Sequence, residues 1–215
     1  ASTEATKPRF NSNRLRVMGP EGSERATFLP SQFETYLEFE ETDYSYAGRT
    51  SYQGEVMRAN SLARINLTAS MGTPRADEYL QRFTHTFGKP AHPILLFDLC
   101  RGIELVYAME RAIELLSEDM DYMDTDIGYT PRDGVGFGMV EAPRGPLIHK
   151  YVVEKGLIVD AQFIIPTVHN MLAIERALRV AGRRYISPAG INLELEKAVG
   201  RVVRAFDPCI ACATQ

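Results

Sequence analysis

The chain has 215 residues, 45% of them apolar and 24% charged, with 24 basic side chains against 28 acidic ones for a formal charge of −4. That length buries a sizeable core in one domain, or one domain with an appendage, and the mild acidity gives no electrostatic attraction to nucleic acid or an anionic membrane. No apolar run approaches the roughly eighteen residues of a membrane-spanning helix, and no basic-then-apolar leader opens the chain; three cysteines, an odd set, argue for free or metal-bound thiols in a reducing, cytoplasmic setting.

Residues 1–13 are polar and read as an extended arm, leaving 14–215 as the folded domain. Leu15-Arg16-Val17-Met18 and Arg25-Ala26-Thr27-Phe28 flank Gly19-Pro20-Glu21-Gly22, which predicts a short hairpin. Ser31 stands three residues before Glu34 and ahead of Tyr36, Leu37 and Phe39, the capping-box pattern of a short helix. Residues 43–71 are irregular, with 62–67 as their one ordered-looking piece, and a loop that long is functional or lies against a partner. Thr73-Pro74 then opens a helix that runs out at Phe87-Gly88, with Thr as cap and Pro at the first helical position.

The longest helical pattern covers 94–117. Leu99, Ile103, Val106 and Ile113 make one stripe, and Leu105, Met109, Ala112 and Leu116 a second beside it, so this helix is expected to have neighbours on most sides. Cys100 within it reads as a small buried hydrophobe. The acidic run 119–126 reads as a solvated turn. Strand patterns follow at 135–140, 147–153 and 157–165, the last two joined by Glu154-Lys155-Gly156 in a hairpin. Helices over 169–185 and 193–206 come next, and Asp207-Pro208 ends the second. The fold class is α+β and mainly helical: a helical bundle with small antiparallel sheets at its edges and the C-terminus buried at its centre.

The tail, Asp207-Pro208-Cys209-Ile210-Ala211-Cys212-Ala213-Thr214-Gln215, carries two thiols at a spacing that lets both point at one centre. Thiolates are soft ligands for nickel, iron, zinc or copper(I), so the pair is a metal half-site. Thiol–disulfide exchange is the open alternative, although that motif opens a helix after a strand, whereas this one follows a helix. Taken singly, Arg144 after a proline reads as a turn arginine bonding carbonyls. His169 and Asn170 read as helix caps, and His149 as an ordinary strand histidine.

Four segments in order add to this. The tail from Arg204 to Thr214 resembles the end of the large subunit of nickel-iron hydrogenases, with its D-P-C-x-x-C. Gly138-Met139-Val140-Glu141-Ala142-Pro143-Arg144-Gly145 resembles the family's G-x-x-E-A-P-R-G segment. Ile165-Pro166-Thr167-Val168-His169-Asn170 is similar to the loop ahead of its late helix, and Ser61-Leu62-Ala63-Arg64-Ile65-Asn66 to its P-L-A-R-x-N stretch. The resemblance spans about 60–215 and is greatest to the soluble, cytoplasmic branch that reduces a cofactor or an electron carrier.

The resemblance implies an oxidoreductase acting on H2. Cys209 would be a terminal thiolate on nickel, and Cys212 would bridge nickel and iron. Arg144 would hang its guanidinium over the open face of the cluster, and Asp207 would orient its neighbours. Ala142 and Pro143 would shape the pocket for the CO and cyanide ligands of iron, while Pro166 and Thr167 would supply apolar contact and a hydrogen bond to cyanide. Splitting H2 heterolytically calls for a metal and a nearby base, here a terminal thiolate, to take the proton.

The chain departs from the family in two places. The R-x-C-G-x-C motif that supplies the other two thiolates is absent, as are the early proton-passing glutamate and the acidic ligand of the structural magnesium. Cys100 matches no ligand position. The expected partners are therefore H2, a chain carrying the N-terminal half with its cysteine pair, and a small subunit with iron–sulfur clusters; the expectation includes no nucleic acid and no membrane span. Gln215 stands where the family commonly ends in histidine, and its amide oxygen could serve magnesium. The alternative is a non-catalytic structural or assembly subunit that uses the cysteine pair for zinc or for nothing.

Overall fold

A computed structural model of the chain describes residues 3–4, 7–8, 12–118, 128–188 and 190–214. Two short strands of the arm, β1 (Thr3–Glu4) and β2 (Lys7–Pro8), pair antiparallel. The predicted hairpin follows as β3 (Leu15–Met18) and β4 (Glu24–Phe28), with a register shift between Val17 and Met18.

The next stretch differs from its sequence reading. The helix expected at Ser31 is a single turn, α1 (Phe33–Tyr36), and Leu37 and Phe39 belong instead to β5 (Leu37–Thr42). Ser31 does not cap it; the Gln32 side chain reaches back to accept from Leu29 N at 2.9 Å. Part of the loop expected over 43–71 is a strand, β6 (Ser45–Tyr52), antiparallel to β5. Its buried positions are Ala47, Gly48, Thr50 and Tyr52, so the inward face lacks the aliphatic alternation by which strands are recognised. A Cβ at Gly48 would lie 2.4 Å from the Phe39 ring of the neighbouring strand, and glycine is what allows that ring to lie there.

The helical half comprises α2 (Ser61–Leu67), α3 (Pro74–Phe87), α4 (Phe97–Leu116), α5 (Met171–Tyr185) and α6 (Leu193–Phe206), with a last short turn, α7 (Ile210–Ala213). Thr73 makes no side-chain cap to α3; the carboxylate of Glu110, from α4, accepts from Arg75 N and Ala76 N, both at 3.0 Å. That carboxylate ties the two helices and offsets the positive helix end. At the head of α6, Asn192 Oδ1 accepts from Leu195 N, with Glu194 and Glu196 in the first turn. Phe97, Cys100 and Ile103 of α4 meet Leu80 and Phe83 of α3, Leu62 and Ile65 of α2, and Val202 and Phe206 of α6 in one apolar core. Cys100 is fully buried, as its sequence context predicts, and burial pushes its thiol up to about 12.

The rest of α4 does not have neighbours on most sides. Leu99 and Ile113 of the first stripe and Leu105, Met109 and Leu116 of the second are exposed, and the buried apolar residues of the helix are Phe97, Cys100 and Ile103, near its start.

Three antiparallel strands, β7 (Gly134–Ala142), β8 (Gly145–Glu154) and β9 (Leu157–Ile164), form a sheet in that order. Lys155 and Gly156 both adopt positive φ, 52° and 74°, as the tight β8–β9 connection requires. Ile148 and Ile164 pack with Leu15, Phe28, Phe33, Leu37 and Tyr52 in a second core. The tail is not buried at the centre as expected. Ala213 is buried and Cys209 half-buried, while Ile210, Ala211 and Cys212 are exposed. An antiparallel bridge between Ala47 and Thr214 pins the tail along β6, and its far side is open.

Candidate metal centre

The last carbonyls of α6 lead into Asp207, which takes the left-handed conformation, φ 49° and ψ 54°, that ends a helix. Aspartate tolerates this region better than most residues, and Pro208 then prevents the helix from resuming. Cys209 precedes α7, so Cys212 lies one turn further on; their Cα atoms are 5.3 Å apart and their sulfurs are joined as a disulfide. Both sulfurs therefore occupy one place, and reduction would leave two soft donors facing one point. Among the described residues no group of three His, Cys, Asp or Glu side chains converges as a metal site. Two thiolates are soft donors of the kind nickel and iron take, and they are fewer than a closed metal site needs, so the pair alone makes a half-site.

Three other segments close around this pair. Cys209 N donates to Thr167 Oγ1 at 3.1 Å, and Thr167 is buried in a tight turn where Asn170 N donates to its carbonyl at 2.9 Å. A hydroxyl that accepts this bond keeps its own hydrogen to donate. Arg144 occupies the two-residue turn between β7 and β8, where Ala142 pairs with Gly145. Gly145 has φ 135°, and a Cβ there would stand 2.6 Å from Ala59 Cβ, so the turn sits directly on the backbone ahead of α2. The Arg144 guanidinium donates through Nε to the Asp207 carbonyl and through Nη2 to Asp207 Oδ2 at 2.8 Å. The bland reading of Arg144 is accordingly half right: it does bond a carbonyl, but one that lies 63 residues away beside the thiols.

The third segment is the start of α2. Asn60, at φ 86°, accepts from Ser61 N through Oδ1 and donates through Nδ2 to Phe206 O at 3.0 Å, stitching α2 to the end of α6. Arg64 is 1% exposed and donates to Glu104 Oε1 and Oε2 at 2.6 and 2.9 Å, to Glu141 Oε1 at 2.8 Å, and to the carbonyls of Ala142 and Pro143 at 3.1 and 2.7 Å. Burial opposes its charge, yet the two carboxylates raise its pKa above the usual arginine value. Asn170 donates to Arg144 O at 3.1 Å and Pro166 O at 3.3 Å, and accepts from Ala59 N at 2.9 Å. Its side chain does not cap α5.

His169 is fully buried. Its Nε2 lies 2.9 Å from Pro146 O, which can only accept, so the ring proton sits on Nε2 and Nδ1 is left without a partner. Burial lowers its pKa to about 4, which keeps the ring neutral.

The structure therefore brings together Ala142, Pro143, Arg144, Pro166, Thr167, Asp207, Cys209 and Cys212. Gln215, read as a magnesium ligand, and the acidic run 119–126 lie outside the described residues. The roles of Arg64, Asn60, Glu104 and Glu141 escape the sequence reading. Arg64 falls within a segment that resembles the family, but its carboxylate partners lie 40 and 77 residues away, with no local pattern to announce them.

The model of the nickel-dependent hydrogenase family matches residues 5–215. A vhu subunit of the F420-non-reducing hydrogenase of Methanococcus voltae is 38% identical over 183 residues, covering 81% of this chain and 43% of that protein. The NAD-reducing hydrogenase HoxS subunit beta of Cupriavidus necator is 37% identical over 169 residues, 75% of this chain and 34% of that one. Among solved structures, an NAD+-reducing NiFe-hydrogenase in the H2-reduced state superimposes with a TM-score of 0.77 at 27% identity, covering 97% of this chain and 48% of the other. The chain thus spans less than half the length of these relatives.

Proposed function

This chain belongs to the nickel-dependent hydrogenase family, and from that premise we propose that it forms one half of a nickel-iron centre for reversible heterolytic cleavage of H2. A partner bearing the N-terminal half of the large subunit contributes the other two thiolates, and a small subunit with iron–sulfur clusters carries the electrons. The same reading includes CO and cyanide on iron, magnesium near Gln215, and a cytoplasmic setting. No helix among the described residues is long and apolar enough to cross a membrane. The observation that supports it is the meeting of the tail residues Asp207, Cys209 and Cys212 with Thr167 and Arg144, three segments drawn from across the chain.

When bound, the centre supplies the electrophile that polarises H2 and the redox capacity that takes up its electrons. The chain's own residues supply the rest. Reduced Cys209 offers a thiolate to take the proton, and the Thr167 oxygen bonded to Cys209 N holds the backbone that carries that sulfur. Arg144 brings a permanent positive charge whose direction is set by Asp207, and Thr167 retains a hydroxyl hydrogen for an anionic ligand.

Metal analysis of the complex that co-purifies with the chain, paired with infrared spectroscopy, tests this. Nickel is expected, with iron in excess of it because the small subunit's clusters also contain iron, together with iron-bound CO and cyanide bands. Zinc alone, or no diatomic bands, would overturn the catalytic reading and leave the non-catalytic alternative. Cys209→Ser should remove nickel and H2 turnover while Cys100→Ser, changing a sulfur buried in the helical core, keeps most of both; equal losses would break the ligand assignment.

A further inference from the structure

We propose that Arg64 and Asn170 are the positioning residues of Arg144: between them they hold three consecutive carbonyls, those of Ala142, Pro143 and Arg144, and so fix the backbone from which the Arg144 guanidinium reaches Asp207. Carbonyls at the tip of a two-residue hairpin turn ordinarily face water and leave the turn free to rock. Here each is bonded to a buried side chain. Arg64 divides its donors between carboxylates and carbonyls: Nε on Glu104, Nη1 on Glu141 and Ala142 O, Nη2 on Glu104 and Pro143 O. An arginine has five N–H donors in a planar fork, and all five are matched. Lysine, with three donors on a single nitrogen, cannot span both carboxylates and both carbonyls.

An ion pair serving only to staple α2 to α4 would need Glu104 alone. The carbonyl bonds have no part in that staple, yet they are what stop the turn from moving. Asn170 adds the third carbonyl to the hold: its Oδ1 accepts from Ala59 N while its Nδ2 donates to Arg144 O. Both residues act through Arg144, whose place at the reaction centre rests on the function proposed above; the hold on its backbone stands without it.

Phenylglyoxal, which adds to accessible guanidinium groups, reads Arg144 directly when the rate at each arginine is followed by peptide mass spectrometry in the full chain with whatever co-purifies. Arg64→Lys and Asn170→Ala should each speed modification of Arg144 by about fivefold, the factor that one net hydrogen bond is worth. Arg49, paired with Glu40 in the β5–β6 hairpin, should keep its rate. An unchanged Arg144 rate in the variants overturns the proposal, and so does equal acceleration at Arg49, which would mean general loosening. If Arg64→Lys does not fold, Asn170→Ala, which leaves the Arg64 fork in place, decides by itself. The readout needs no metal. An unaccelerated Arg144 in a complex that contains nickel and iron sinks the positioning role alone, and an accelerated one in a complex without them sinks only the catalytic reading.

Discussion

Around Cys209, polar groups from distant segments are bonded to one another, whereas along the outer half of α4 the side chains of Leu105, Met109, Ile113 and Leu116 stand exposed. The two regions belong to one chain and to one family fold, but they hold their shape by different means. Hydrogen bonds have direction, so the thiol corner keeps a defined geometry even with one side open. Apolar contact has none, and a helix face without a cover is merely a surface that water wets at a cost. A half-site can therefore be well formed in a chain whose helical face is not.

The largest expected effect falls on the bonded corner. Arg64→Met takes the guanidinium away from the Glu141 carboxylate, which is 3% exposed, and should lower unfolding stability in urea by about 3–5 kcal/mol. A loss under about 1 kcal/mol would mean that the corner owes its shape to packing after all.

His169 gives the next effect, through pH. Its pKa is about 4 in the fold against 6.5 in the unfolded chain, so the unfolded state binds a proton that the folded state refuses. The resulting stability is complete above pH 6.5 and is lost as pH falls towards 4. The loss amounts to roughly 3 kcal/mol by linkage. His169→Gln should flatten this part of the stability–pH curve measured by urea unfolding; a slope equal to the parent's would show that other groups cause it.

Thr167→Val removes the acceptor for Cys209 N and should cost about 1 kcal/mol of stability, with a faster amide exchange at Cys209 as its signature. The smallest effect is expected on α4: Ile113→Gln, at an exposed position, should change stability by no more than about 0.5 kcal/mol. If it instead matches Thr167→Val in cost, the outer face of α4 is covered in solution and the contrast between the two regions fails.

Much of the fold is legible in the sequence because helical spacing and turn chemistry are local. The helix 193–206 ends at Asp207-Pro208 as read, and Glu154-Lys155-Gly156 turns the chain as its residues require. β6 is not legible, since Ala47, Gly48 and Thr50 are buried without the large apolar side chains in alternation that mark a strand. The second stripe of α4 misleads in the opposite sense: it is apolar, and periodicity cannot say whether the surface meant to cover it lies in the same chain. At the site, the residue types are read from motif order, while the hold exerted by Arg64 and Asn170 is a matter of tertiary contact that spacing does not encode.

Cys100 turns the molecule into its own unfolding gauge. Thiolates are the species that react with alkylating reagents, and burial pushes this thiol up to about 12, whereas Cys212 is exposed and Cys209 only half-buried. A reagent applied to the reduced, metal-free chain would thus consume the tail pair at once and the remaining sulfur only when the core shared by α3 and α4 opens. Under excess reagent at neutral pH, the appearance of the triply labelled chain follows the rate of that opening where reaction outruns reclosing, and its free energy where it does not.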